Sequence, residues 1–399
     1  MRICFVSDQS FPPRGGEGIS TQNFSLGLRK KGHRVVVLTS KPKDPLVIEK
    51  IKIYRFPSIP IFWGKGYFGI PLLKDILFIL KKEKIEIVQI NTATYLGWQA
   101  LKGAKKMRIP VVLGFHAQIE NVIPPYFPSL PFTFPRKVVR NWFSYFYQKG
   151  DLVIVPSHFA AKILQKYTHN SSEAFTVISN GLDLKKFNPQ RINQKRKEEF
   201  KRKYSLKDGE FIILYVGRLT YEKNIPYLFK IMKSLKERRR EFPGINRIKL
   251  VIVGEGFLKN QLKKKGEKTG LKENIIFTGF IREEDLLYTY DCADIFILPS
   301  FAELQSISTL EAMAMKNVIM VAKSTENAAQ ELVKEGVNGY TFSLENPEDA
   351  VEKILKIFHN EKLKKQMQEE SFKMVQEHNM KESILKLEEI YQKLIGRTG

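Results

Sequence analysis

Short apolar runs alternate with helical stretches along the whole chain, and the alternation is played out twice. The runs at 2–7, 34–39, 51–56, 85–90, 110–114 and 152–155 are separated by helical or loop segments, with Thr21 to Lys31 supplying the first helix and Gly32 its stop. A second series begins near 211 and continues at 249–253, 275–277, 295–298 and 318–321. Strands that alternate with helices pair in parallel and are covered on both faces, so each series reads as a doubly wound α/β domain. The 399 residues agree, since a single core stops growing well below that length and two domains of roughly 180–200 residues follow. Between the series, Asn188 to Asp208 is polar and basic with no apolar periodicity apart from Phe200 and Tyr204, and reads as the linker region. From Pro347 the tail is helical, and its apolar stripe of Ile384, Leu387, Tyr391 and Leu394 must pack on something.

Charge limits the partners. Lys and Arg number 66 against 42 Asp and Glu, a net charge of +24, which implies an anionic partner: nucleic acid or the surface of an anionic membrane. The two cysteines, Cys4 and Cys292, fall in different halves in apparently buried strand-edge contexts, so a disulfide framework is not expected and a reducing cytoplasm fits. The run Met1 to Asp8 is too short for a signal peptide. No window approaches the eighteen apolar residues of a membrane span, and Ile76 to Leu80 is hemmed in by Lys74, Asp75, Lys81 and Lys82. A membrane would therefore be met from the side.

Three stretches are suited to a phosphate ligand. In 299–315, Glu303 and Glu311 are separated by seven residues between a strand and a helix, with Ser308-x-x-Glu311 as a capping box, so that Glu303 falls in the turn and Glu311 in the first helical turn. A helix N-terminus attracts phosphate and flanking carboxylates accept from hydroxyls, a combination that suggests a nucleotide sugar. Read alone, Glu311 serves equally well as a cap and Glu303 as a solvated loop residue. The turn Pro12 to Ser20, with Gly15, Gly16 and Gly18, follows strand one, where glycines let backbone approach a ligand or simply make a tight turn. It lacks the third glycine of the dinucleotide fingerprint, Thr21 standing there. The third stretch, Tyr215 to Ile225, sets Arg218 and Lys223 at the C-terminal end of a strand, the edge at which doubly wound sheets bind ligands. In so basic a chain a solvated pair of cations is the plainer alternative.

Taken together and in order, Gly-Gly-Glu-Gly-Ile-Ser at 15–20, Gly32-His33, Phe115-His116, Ile178 to Asp183, Gly217-Arg218-Leu219 with Glu222-Lys223, and Glu303-x7-Glu311 carry a resemblance over nearly the whole chain. The chain resembles the retaining GT-B glycosyltransferases of family 4, which include sucrose synthases and bacterial lipid and wall glycosyltransferases. The resemblance implies a GT-B α/β fold of two doubly wound Rossmann-like domains facing an inter-domain cleft: 1–183 on the acceptor side, 184–381 binding the nucleotide sugar, and a final helix, 382–399, crossing back. It implies that Arg218 and Lys223 hold the donor diphosphate, that Glu311 accepts from the ribose, and that Glu303 contacts the sugar hydroxyls. His116 would lie beside the sugar at the reacting centre, although a lone strand-end histidine is more often structural. Gly16, Gly18, Gly217, Gln305 and Ser306 would join the substrate site, and Ile281 would sit where the loop cradles the base. The chain departs from many members at Leu304-Gln305-Ser306-Ile307, where they carry an aromatic Gly-Phe-Gly turn; Gln305 looks like the variant of glucosyltransferases acting on diacylglycerol.

The expected chemistry is hexose transfer, with glucose first, from a nucleotide sugar such as UDP-glucose, with retention, by same-face attack and without a well-placed protein nucleophile. No Asp-x-Asp occurs, Glu283-Glu284-Asp285 opens a surface helix, and the six histidines lack metal-ligand spacing, so no metal and no cofactor are expected. Cations and helix dipoles would stabilise the departing diphosphate instead. Two aromatic stretches, 62–68 and the Pro-interrupted 126–134, the second followed by Arg136, Lys137 and Arg140, suggest an interfacial anchor, hence a lipid acceptor such as diacylglycerol at the inner face of the cell membrane. A soluble or wall-glycan acceptor, a nucleotide-sugar epimerase or hydrolase on the same scaffold, and a nucleic-acid-binding protein are the alternatives. The last has no recognised binding motif in its support.

Overall fold

A strand buried on both faces must be apolar at successive positions, and the strands here are so built: Ile3, Cys4, Phe5 and Val6 are all fully enclosed, as are Ile295, Phe296 and Ile297. The computed structural model describes residues 1–9, 11, 15–41, 51–60, 66–119, 133–168, 174–268 and 270–397. They divide into two units, Met1–Gly181 with Met380–Gly399, and Leu182–Asn379.

The first unit holds β1 (Arg2–Val6), β2 (Arg34–Ser40), β3 (Lys52–Phe56), a small antiparallel hairpin of β4 (Ser58–Pro60) and β5 (Tyr67–Gly69), then β6 (Ile87–Ile90), β7 (Val111–Gly114), β8 (Leu152–Val155) and β9 (Thr176–Val177). All but the hairpin form one parallel sheet in the order β3-β2-β1-β6-β7-β8-β9. The second unit repeats the plan with β10 (Phe211–Val216), β11 (Ile248–Val253), β12 (Ile275–Gly279), β13 (Ile295–Leu298), β15 (Val318–Ala322) and β17 (Gly339–Phe342) in the order β12-β11-β10-β13-β15-β17. A two-stranded parallel ribbon, β14 (Ala302–Glu303) with β16 (Glu326–Asn327), sits outside that sheet. In each sheet the chain starts mid-sheet, builds outward on one side, then returns to build the other, so the order reverses between β1 and β6 and between β10 and β13. Crevices for ligands open beyond the strand ends at such reversals.

Several local expectations are corrected. The first helix runs Gly15–Lys30 and so begins inside the glycine-rich turn, because the residues that discourage a helix there are tolerated in its first turn. The supposed linker contains the helix Gln194–Lys203, capped by Asn193, whose side chain accepts from Arg196 N. One anchor explains why no periodicity shows: Phe200 is buried, with its ring 4.7 Å from Tyr204. Cys292 is half-buried at the end of the helix Glu283–Asp291 rather than at a strand edge. The aromatic stretch 62–65 and the segment 120–132 lie outside the described residues, and so do the side chains at 133–135.

The terminal helix, Met380–Gly396, belongs to the first unit. Ile384, Leu387, Tyr391 and Leu394 join Phe24, Leu28, Ile3 and Val35 in that unit's core. A Cβ on Gly27 would fall 2.1 Å from Ile384 Cδ1, so the helix Gly15–Lys30 must keep a bare backbone where the two meet. Glu388 accepts from His33 Nε2 at 2.6 Å and pairs with Lys31 at 3.0 Å. The Tyr391 hydroxyl donates to Gln89 Oε1 beneath the sheet. Leu387→Ala, which empties a fully enclosed position, is expected to cost the first unit about 2–5 kcal/mol. Urea denaturation followed by circular dichroism checks this as a lowered midpoint.

Candidate active site

In the second unit the polypeptide leaves β10 through Gly217 and Arg218 while still bonded to its neighbour: Gly217 N donates to Val253 O at 3.0 Å and Leu219 N to Glu255 O at 3.0 Å. The approach is so close that a Cβ on Gly254, whose φ is +136°, would fall 1.9 Å from Gly217 O. The turn Tyr221–Lys223 follows, ending at left-handed Asn224, and the helix Ile225–Glu237 begins. Phe301 N donates to Glu222 O at 2.8 Å, which ties this turn to the segment after β13. There β14 holds Glu303 on the ribbon, braced by Asn327, whose amide donates to Ser300 O at 3.1 Å and Ala322 O at 3.0 Å.

These braces bring Lys223 and Glu303 together. Their side chains, 14% and 10% exposed, meet Nζ to Oε1 at 2.5 Å. Arg218 Nη2 donates to Glu222 Oε1 at 3.1 Å, and Thr220 Oγ1 donates to the same oxygen at 2.6 Å. Two cation–carboxylate pairs therefore stand where the strand order reverses. Tyr215 sits beneath, its hydroxyl donating to Arg218 O at 2.8 Å; a Cβ on Gly217 would fall 2.7 Å from that hydroxyl.

The helix Ile307–Ala314 is started differently from the expected capping box. Ser306 is the N-cap and its Oγ accepts from Thr309 N at 3.2 Å and from Thr309 Oγ1 at 2.8 Å. Ser308 lies inside the helix, Glu311 falls in the second turn rather than the first, and Glu303 lies in a strand rather than a turn. With its cap duty gone, Glu311 accepts from the Tyr290 hydroxyl at 2.6 Å. Burial pushes its carboxyl up to about 7, against the pull of the Tyr290 hydrogen bond and the charge of Lys186. Gln305 is half-buried on the approach to Ser306, which is buried. Ile281, past the end of β12, has its side chain in the hydrophobic core.

In the first unit the same end of the sheet carries the glycine turn after β1 and His116 after β7. Gly16 is exposed and a Cβ there would meet nothing within 4 Å, whereas Gly18 is buried. His116 Nε2 is shut off from solvent without a hydrogen-bond partner among the described residues, and burial pulls its pKa down to about 4, so the ring is neutral near pH 7. The bare Gly114 makes room for it: a Cβ there would fall 2.9 Å from His116 Nε2 and 2.3 Å from Asn91 Oδ1. Asn91 is held by Gln89, which donates at 2.9 Å, and donates to Thr21 Oγ1 at 2.8 Å.

Sequence reasoning gave no role to Glu17, Asp8, Glu222 and Tyr290, although Glu17 and Glu222 lie within motifs that it quoted. Glu17 accepts from Ser7 Oγ at 2.6 Å, and burial, with the charge of Asp8 added, pushes its carboxyl up to about 8. Acidic residues beside named glycines and cations were the available signal. Among the described residues, no group of three or more His, Cys, Asp or Glu is placed to hold a metal ion.

Residues 14–186 match the profile of the family described as Glycosyltransferase Family 4, and residues 196–374 that described as Glycosyl transferases group 1. An alpha-monoglucosyldiacylglycerol synthase of Streptococcus pneumoniae is 30% identical over 316 residues, spanning 79% of this chain and 69% of that protein. One of the same name from Acholeplasma laidlawii is 26% identical over 366 residues, spanning 90% of this chain and 89% of that protein. Among solved structures, Anabaena HepE in complex with UDP-glucose shares the fold, with a TM-score of 0.77 and 18% identity over 98% of this chain and 100% of that one.

An acid whose folded pKa is raised favours folding while protonated. The contribution from Glu311 is full below its ordinary value of 4.5 and is lost as pH rises through about 7. Thermal unfolding of wild type and Glu311→Gln across pH 4 to 8 is expected to show the wild type losing stability relative to the variant over that window.

Proposed function

This chain is a family 4 glycosyltransferase, and from that membership we propose that it moves a hexose, glucose first, from a nucleotide sugar to a membrane lipid such as diacylglycerol, with retention at the anomeric carbon. The observation that carries the reading is the 2.5 Å contact of Lys223 with Glu303 at the reversal point of the second sheet. A diphosphate needs cations and a sugar needs hydrogen-bond acceptors, and here the two are adjacent. Arg218 and Lys223 take the diphosphate, and their charge offsets the charge that builds on the leaving oxygen as the glycosidic bond breaks. The Ser306-capped helix adds its positive end. Glu303 accepts from sugar hydroxyls and Glu311 from the ribose. His116, neutral at working pH, acts as a hydrogen-bonding partner of the sugar. Cations in these places do what a chelated metal does in Asp-x-Asp enzymes, which supports a metal-independent reaction.

The relatives' printed names support a diacylglycerol acceptor and a glucosyl donor, and the UDP-glucose complex of HepE supports uracil as the base. Among the described residues no helix is long and apolar enough to cross a membrane. Attachment from the side is supported by apolar groups left in water in the first unit: Ile59 and Phe68, paired across the hairpin, then Ile70, Leu72 and Phe78. Phe78 is 62% exposed, with Lys82 Nζ 5.4 Å from its ring centre, and Lys74 and Lys81 are exposed on the same helix, Leu73–Lys82. Aromatic groups among lysines suit an anionic surface, each basic residue adding about 1 kcal/mol there. The localisation proposed is the cytoplasmic face of the cell membrane.

Incubation with labelled UDP-glucose and diacylglycerol in mixed micelles is expected to yield labelled glucolipid; label passing only to a soluble glycan would overturn the lipid assignment. Arg218→Ala and Lys223→Ala should each lower turnover on the order of 10²-fold. Sedimentation should show binding to anionic vesicles that is much weaker with zwitterionic vesicles and is reduced by salt.

A further inference from the structure

The diphosphate cation Arg218 is bonded to an acid that the reaction itself does not require. Glu222 is a fixed anion: its side chain is 4% exposed, Thr220 Oγ1 holds Oε1 at 2.6 Å, and its main-chain oxygen is anchored by Phe301 N at 2.8 Å. Its second oxygen, Oε2, is buried without a hydrogen-bond partner among the described residues. Arg218, by contrast, is 53% exposed and reaches Glu222 through one Nη2 contact of 3.1 Å. A rigid buried carboxylate therefore faces a movable guanidinium, and guanidinium bonds carboxylate and phosphate by the same N–H groups. Whenever Arg218 turns wholly to a phosphate, Glu222 loses its cation and is left as a buried charge with a single hydroxyl donor, a cost that subtracts from the affinity of the phosphate ligand.

We propose that Glu222 is a positioning residue that acts through Arg218: it parks the guanidinium at the diphosphate site and competes for it, keeping the nucleoside diphosphate product weakly enough held to leave. The inference rests on the donor-site reading above. It explains why a cationic site carries an enclosed acid with an oxygen to spare, since a purely structural carboxylate would have both oxygens bonded. Lys223 differs, for its partner Glu303 is itself a proposed sugar ligand and stays useful when the lysine moves.

The test is Glu222→Gln, which keeps the shape and can leave its amide oxygen facing Thr220 and Arg218. Binding of UDP, with GDP in parallel, is measured by calorimetry for wild type, Glu222→Gln, Arg218→Ala and the double variant. The Arg218 side of the pair is half-exposed and screened by solvent, which weakens the coupling, so Glu222→Gln is expected to tighten nucleoside diphosphate binding about two- to fivefold and to strengthen product inhibition in step. In the Arg218→Ala background the tightening should vanish, which a general effect on the fold would not produce. Unchanged or weaker binding in Glu222→Gln, or failure of that variant to fold, overturns the proposal. If Arg218→Ala leaves diphosphate binding unaltered, the donor-site reading has failed instead.

Discussion

Everything at the candidate site of the second unit depends on the strand order reversing between β10 and β13. Right-handed crossovers oblige a chain that begins in mid-sheet to send its loops to opposite faces on either side of that point, so the two neighbouring strand ends diverge. Charged side chains could not be enclosed in a closed sheet edge, but here each finds a partner across the gap: Lys223 from the β10 side and Glu303 from the β13 side. Main-chain bonds carry the load of holding the gap's shape. Gly217 and Leu219 remain laddered to Val253 and Glu255 beyond the strands, and Gly254 permits the approach by having no side chain.

Both sheets were legible because parallel strands buried on two faces leave unmistakable runs such as Phe211–Val216, and both motif-bearing ends followed from strand position alone. What escaped were choices made by tertiary partners. Ser308 and Ser306 are equally good caps by composition, and composition does not tell that Ser306 takes the cap while Glu311 meets Tyr290, twenty-one residues away. The helix Gln194–Lys203 is nearly all charge, and what docks it is the packing of Phe200 on Tyr204 and Tyr288 together with the pair of Lys197 and Asp291, none of which shows as periodicity. Cations could be named as ligands from sequence, but not which acid each would hold, since Arg218 and Lys223 have two carboxylates within reach of the same turn.

The acids beside the glycine turn of the first unit are organised on another principle. Glu17 and Asp8 are enclosed with hydroxyl and amide donors rather than cations: Ser7 for one, Thr94 at 2.5 Å and Gly69 N at 2.8 Å for the other. Burial raises both carboxyls, Asp8 to about 6 and Glu17 to about 8. Near pH 7 the glycine turn thus stands beside a largely protonated Glu17, with Asp8 mostly ionised, whereas Lys223 and Glu303 of the second unit meet as a cation and a carboxylate.

The route of the chain adds a constraint in time. Phe24 and Leu28 wait for Ile384, Leu387 and Tyr391, more than 350 residues downstream, before their surface is covered. On the ribosome the first sheet therefore emerges with an apolar seam open while the whole second unit is made, and only the last helix closes it. Translation order makes the earliest-born unit the last to be finished, and leaves an interval in which that seam is available to a chaperone.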